Sequence, residues 1–97
     1  MDSAKNGSLT AIGHLARAHD YDSLRNLLMD VQTQEAIRRA TANSLASLGK
    51  QEANTLLVEA NDNFEGSSTL KGAFAKALTR GTKRQKKNEA FASRKKN

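Results

Sequence analysis

The sequence predicts an all-α protein: a small bundle or stack of about five short helices, followed by a basic C-terminal tail. Three observations carry this expectation. The 97 residues include no Pro and no Cys, with one Tyr, three Phe and no Trp, while Ala, Leu, Lys and Asn are abundant; that composition favours helix. Apolar residues recur at three- and four-residue spacing through residues 9–78, the period of one buried helix face. The charge is also unevenly placed. Residues 80–97 hold eight Lys/Arg against the single acid Glu89, a net +7, whereas residues 1–79 hold eight Lys/Arg and nine Asp/Glu, a net −1. The natural division is therefore a lead-in at 1–7, a helical domain at 8–79 and a basic tail at 80–97.

A domain of this size buries a modest share of its surface and is marginally stable. Without Cys there is neither a disulfide nor a thiolate metal site to staple it. No apolar run approaches a bilayer span. The polar start MDSAKNGS has no hydrophobic region of the kind a secretory signal needs. An intracellular protein, cytoplasmic or nuclear or nucleoid-associated, neither secreted nor transmembrane, is expected.

Taken in order, residues 1–7 read as disordered. Ser8 can cap a first helix from Leu9 to Ala18 with Leu9, Ile12, Leu15 and Ala16 inside. Asp20 or Asp22 can cap a second, Asp22 to Val31, whose stripe is Tyr21, Leu24, Leu27, Leu28 and Val31. Thr33 is a candidate cap for a third, Gln34 to Leu48, with Glu35 meeting the positive end of the dipole. Ile37, Ala40, Thr41, Ser44, Leu45 and Leu48 share its inner face, and Arg38, Arg39, Asn43 and Ser47 lie elsewhere. Gly49 suits the left-handed residue that ends a helix. A fourth helix, Gln51 to Ala60, buries Ala53, Leu56, Leu57 and Ala60 before Asn61-Asp62-Asn63 breaks it. Gly66-Ser67-Ser68 opens a fifth, with Leu70, Ala73, Phe74, Ala77 and Leu78 inside. Gly81 is a candidate stop, although the Lys, Arg, Gln and Ala beyond it can continue a helix.

Leu27-Leu28 and Leu56-Leu57 repeat at twenty-nine residues, a period that suits stacked helical hairpins. Thr10, Ile12, Ala16, Leu24, Leu27 and Leu28 are spaced as in an ankyrin repeat. Leu45–Gly49 followed by Leu56–Asn61 resembles the second half of one, and Ile37–Ala60 is equally similar to a HEAT-type repeat. Residues 9–61 thus resemble helical-hairpin repeats, which implies a helical protein-binding surface. Ala11 and Gly13 stand where an ankyrin turn has Pro and His.

Catalytic and metal signatures are missing from the sequence. His14 and His19 lie five apart, about 140° around a helix, not the four-residue spacing of a helical zinc pair. Asn61–Gly66 superficially resembles a calcium loop, but its first position is Asn and its twelfth is Gly72, where a bidentate Glu is needed. No GxSxG, GxxxxGK[ST] or GxGxxG occurs. The expectation is a protein that is not an enzyme and takes no cofactor or metal. A helix-turn-helix can be laid on the sequence in two frames. With Gly49 at the turn, Leu45 and Thr55 fall on unsuitable positions; with Gly81 at the turn, the second helix is almost wholly charged.

The tail carries the functional expectation. Arg80, Lys83, Arg84, Lys86, Lys87, Arg94, Lys95 and Lys96 repel one another, so the segment is expected to be disordered or a frayed helix until a polyanion binds. Nucleic acid, DNA or RNA, is the partner that fits best. Four to six phosphate contacts on duplex DNA would give a log–log salt slope of about −4 to −5. The segment is similar to short basic RNA-binding peptides, in which the cations would grip phosphates and Phe91 would stack on a base. The excess of Lys over Arg favours point-charge phosphate contact over base reading. The alternative is a protein-interaction or assembly factor, a scaffold whose tail docks on an acidic protein surface. A bipartite nuclear address and a tail that serves solubility alone use the same residues, and a membrane partner is not expected. The composition is compatible with a homodimer without requiring one.

Overall fold

The computed structural model describes residues 11–96, and side-chain surroundings for residues 11–90. The protein is an all-α bundle, and among the described residues there is no strand. Helix α1 covers residues 11–18 of the described chain. It is followed by α2 (Tyr21–Met29), α3 (Glu35–Leu48), α4 (Gln51–Asp62) and α5 (Ser68–Lys96). No helix among the described residues is long and apolar enough to cross a membrane.

Helix α3 is the centre. It packs against α2, α4 and most extensively α5, while α4 also meets α2 and α5. The sequence explains this position. Ile37, Thr41 and Leu45 are buried, and so are their neighbours Arg38, Ala42 and Ala46. Two adjoining stripes are covered, and in one of them the small residues Ala42 and Ala46 let a partner helix come close. Ile12, Leu24, Leu28, Leu45, Leu57, Leu70 and Phe74 fill the space around them, each contributing about 1.5–3 kcal/mol of burial.

The connections are short and hydrogen-bonded. His19 adopts φ 57°. Its N–H donates to Ala16 O at 3.1 Å and that of Asp20 donates to Leu15 O at 2.9 Å, the paired bonds of a left-handed helix ending. Asp20 then caps α2, its carboxylate accepting from Ser23 N and Ser23 Oγ at 3.2 and 3.0 Å. His19 is thus a turn residue, and among the described residues no cluster of three metal-ligating side chains forms. Gly49 ends α3 with φ 58°, as its sequence position suggests. Ser67 Oγ accepts from Leu70 N at 3.1 Å to cap α5 and donates to Glu35 Oε1 at 2.7 Å, tying the start of α5 to that of α3.

Several sequence expectations are corrected. The fifth helix is not short: its 29 residues run through Gly72 and Gly81 without a break, so there is no turn at Gly81 and no helix-turn-helix there. In the other frame, Thr55 is exposed and its hydroxyl donates back to Gln51 O, where that motif needs a buried aliphatic. Helix α2 ends at Met29, leaving Val31 48% exposed. Asp30 takes over the following turn by accepting from Gln32 N at 2.9 Å, and Gln34, not Thr33, stands at the cap of α3 with no side-chain bond. Helix α4 extends to Asp62, because Asn61 turns inward to donate to Leu57 O and Phe74 O.

Arg38 is the largest departure from the helical-face reading. It is 3% exposed. Its Nε donates to Leu28 O at 3.0 Å and Nη1 to Glu65 O at 2.9 Å, while Phe64 and Phe74 each lie 5.5 Å from its guanidinium carbon. One arginine therefore satisfies a free carbonyl at the end of α2 and holds the α4–α5 loop. The lead-in at residues 1–7, the Ser8 cap and Leu9 lie outside the described residues.

Candidate nucleic-acid interface

The basic segment is the second half of α5, and its attachment begins at Gly81. Leu70, Phe74, Ala77 and Gly81 are buried and Gln85 is half-buried, a stripe at four- and three-residue spacing that crosses the body–tail boundary expected at residue 80 unbroken. A methyl group on Gly81 would stand 2.3 Å from Asn54 Oδ1 and 3.3 Å from Ala46 Cα. Glycine here permits close approach of α5 to α3 and α4. Asn54, 6% exposed, bridges the contact: its Nδ2 donates to Gly81 O at 3.0 Å and to Gln85 Oε1 at 2.7 Å. Its Oδ1 is buried and has no donor among the described residues. One turn further on, the Arg84 stem packs over Gly49 and Asn88 Nδ2 donates to Gly49 O at 3.4 Å. Residues 81–88 are thereby fastened to the α3–α4 junction.

Arg80, Lys83, Arg84, Lys86 and Lys87 are all exposed on this helix. Arg94, Lys95 and Lys96 continue its backbone, and they and Phe91 lie outside the residues whose side chains are described. At 100° per residue, Lys76, Arg80, Lys83 and Lys87 form one stripe, and Lys86 stands about a quarter-turn away from it. From Lys76 to Lys87 the stripe rises through eleven steps, about 16 Å at 1.5 Å each.

That stripe borders an open groove of about 600 Å³ between α3 and α5, lined by Arg39, Asn43, Lys76, Thr79 and Arg80 over Ala73 and Ala75. Two more grooves adjoin it. One shares Arg80 and adds Ser47, Lys83 and Arg84; the other shares Asn43 and Ser47 and adds Arg17. Among the described residues no Asp or Glu lines any of the three. Within the surface, Arg80 Nη2 donates to Asn43 Oδ1. Among the described residues the ion pair formed is Arg25–Glu59, between α2 and α4.

No protein family, curated protein or solved structure matches the chain. The repeat-like spacing of residues 9–61 therefore gains nothing from comparison, and the surface has to be read from its own chemistry.

Arg17, Arg39 and Lys76 were missed as site residues by sequence reasoning. For Lys76 a signal was present, because it lies four before Arg80 and seven before Lys83. Arg17 and Arg39 reach the surface through tertiary packing, which spacing along the chain does not encode.

Proposed function

We propose that this is a non-enzymatic nucleic-acid-associated protein, in which the basic half of α5 holds a phosphate backbone and the helical body offers a protein contact. One observation supports it above the others. Arg80, Lys83, Arg84, Lys86 and Lys87 are exposed on a helix that Gly81, Asn54 and Asn88 fasten to the bundle. A segment held in place loses less conformational freedom on binding than a free tail. Its cations meet phosphates and release condensed counterions, so affinity is strong at low salt and falls steeply as salt rises. The role carries an intracellular location with it.

The test is a titration of a labelled DNA duplex with the full chain at several salt concentrations, for the wild type and for Lys83→Gln/Lys87→Gln. The substitutions lie on exposed positions, whereas ending the chain at Thr79 would remove Gly81 from the core. Loss of two phosphate contacts lowers the magnitude of the log–log slope by about 1.8. An absence of duplex binding at low salt, with tight binding of polyglutamate instead, would assign the surface to an acidic protein and overturn the proposal.

A further inference from the structure

We infer that the phosphate-binding surface extends beyond the basic half of α5 onto the body, with a nucleic-acid duplex seated along the α3–α5 groove across Arg39, Lys76, Arg80, Lys83 and Arg84 and reaching Arg17 in the adjoining α1–α3 groove. This inference rests on the nucleic-acid reading above and deepens it. The tail's net +7 against the body's −1 suggests that the tail alone supplies affinity, but net charge averages over faces. Among the described residues no acid lines the three adjoining grooves, whereas Arg17, Arg39 and Lys76 do. Glu59 is engaged by Arg25 and Glu35 by Ser67. The separate groove on the other flank of α5, by contrast, contains Glu89 beside Lys50. The basic face is thus one-sided.

The remaining lining chemistry fits a backbone. Asn43, Ser44, Ser47 and Thr79 offer neutral amide and hydroxyl groups between the cations, the side chains that accompany Lys and Arg on phosphate and sugar. Among the described residues no aromatic side chain lines the grooves to serve as a stacking platform for unpaired bases, and this favours a duplex over a single strand. The stripe of α5 covers about 16 Å, nearly five base-pair steps of 3.4 Å.

Fluorescence anisotropy with a labelled DNA duplex, and with one of its strands alone, tests this on the full chain. Arg39→Gln/Lys76→Gln removes two body cations; Lys50→Gln/Lys71→Gln removes the same charge at exposed positions away from the three grooves. The first pair should lower the magnitude of the salt slope by about 1.8 and weaken binding about 30-fold at 0.15 M salt. The second should leave the slope nearly unchanged. Equal effects of the two pairs, or no effect of the first while Lys83→Gln/Lys87→Gln still weakens binding, would overturn the groove and leave the nucleic-acid reading standing. Tighter binding of the single strand would overturn the duplex assignment. No binding by the wild type would overturn both readings. Circular dichroism of each variant, expected to match the wild type, separates lost contacts from lost fold.

Discussion

Gly81 and Gly72 sit in the same helix, and the same substitution at the two positions should have opposite effects. Nothing lies within 4 Å of a methyl group added at Gly72. Gly72→Ala therefore gains only helix propensity and should stabilise by about 0.5–1 kcal/mol. At Gly81 the methyl group would stand 2.3 Å from Asn54 Oδ1 and 3.3 Å from Ala46 Cα. The Asn54 amide must move, giving up its bonds to Gly81 O and Gln85 Oε1, and the backbone of α3 has little room to retreat. Disrupting the buried amide costs about 1–3 kcal/mol, and overpacking costs about 1–3 kcal/mol more. After the propensity gain, Gly81→Ala should destabilise by about 1–5 kcal/mol. Urea denaturation followed by circular dichroism gives both values, and amide exchange should show faster opening at residues 82–90 of the Gly81 variant. The cost should be strongly coupled to Asn54: in an Asn54→Ala background, Gly81→Ala should lose most of its effect. If Gly81→Ala stabilises as much as Gly72→Ala, then α5 does not pack closely there and the reasoning fails.

Other expectations follow from the same interactions. Arg38→Met keeps much of the volume but leaves Leu28 O and Glu65 O without their donor, so it should cost about 2–3 kcal/mol in urea denaturation; a lysine there, with no planar fork, should not restore the loss. His19→Gly relieves a left-handed backbone of φ 57° and should stabilise by about 0.5–1 kcal/mol, measured by the same method. Burial, and secondarily Glu52, raise the Tyr21 phenol above its ordinary pKa of 10.0. A raised folded-state pKa means this contribution is fully present below pH 10 and is lost as pH climbs through the folded value; denaturation at increasing alkaline pH should show the loss, and Tyr21→Phe should abolish that part of it.

Periodicity and caps made the helical class and most helix positions legible from sequence, because amphipathic spacing is a local property. Asp20, Gly49 and Ser67 act through bonds to near neighbours, and their roles could be anticipated. Arg38 could not be placed the same way. A polar residue reads as solvent-facing until the carbonyls and aromatic rings that receive it are known, and those come from α2, the α4–α5 loop and α5. Gly81 was ambiguous for a related reason. A glycine in a helical pattern can end a helix or allow a neighbour close, and only Asn54 and Ala46 decide between them. The candidate site was half legible: the charge run from Arg80 to Lys87 stands out in sequence, but Arg17 and Arg39 join it only when α1, α3 and α5 meet. The mean charge of the body concealed that meeting.

The measurement that tests the account most directly is the salt dependence of duplex binding by the full chain. Tight binding at low salt and a log–log slope of about −4 to −5 are expected, from four to six phosphate contacts. A slope near zero, or no binding at low salt, would contradict it.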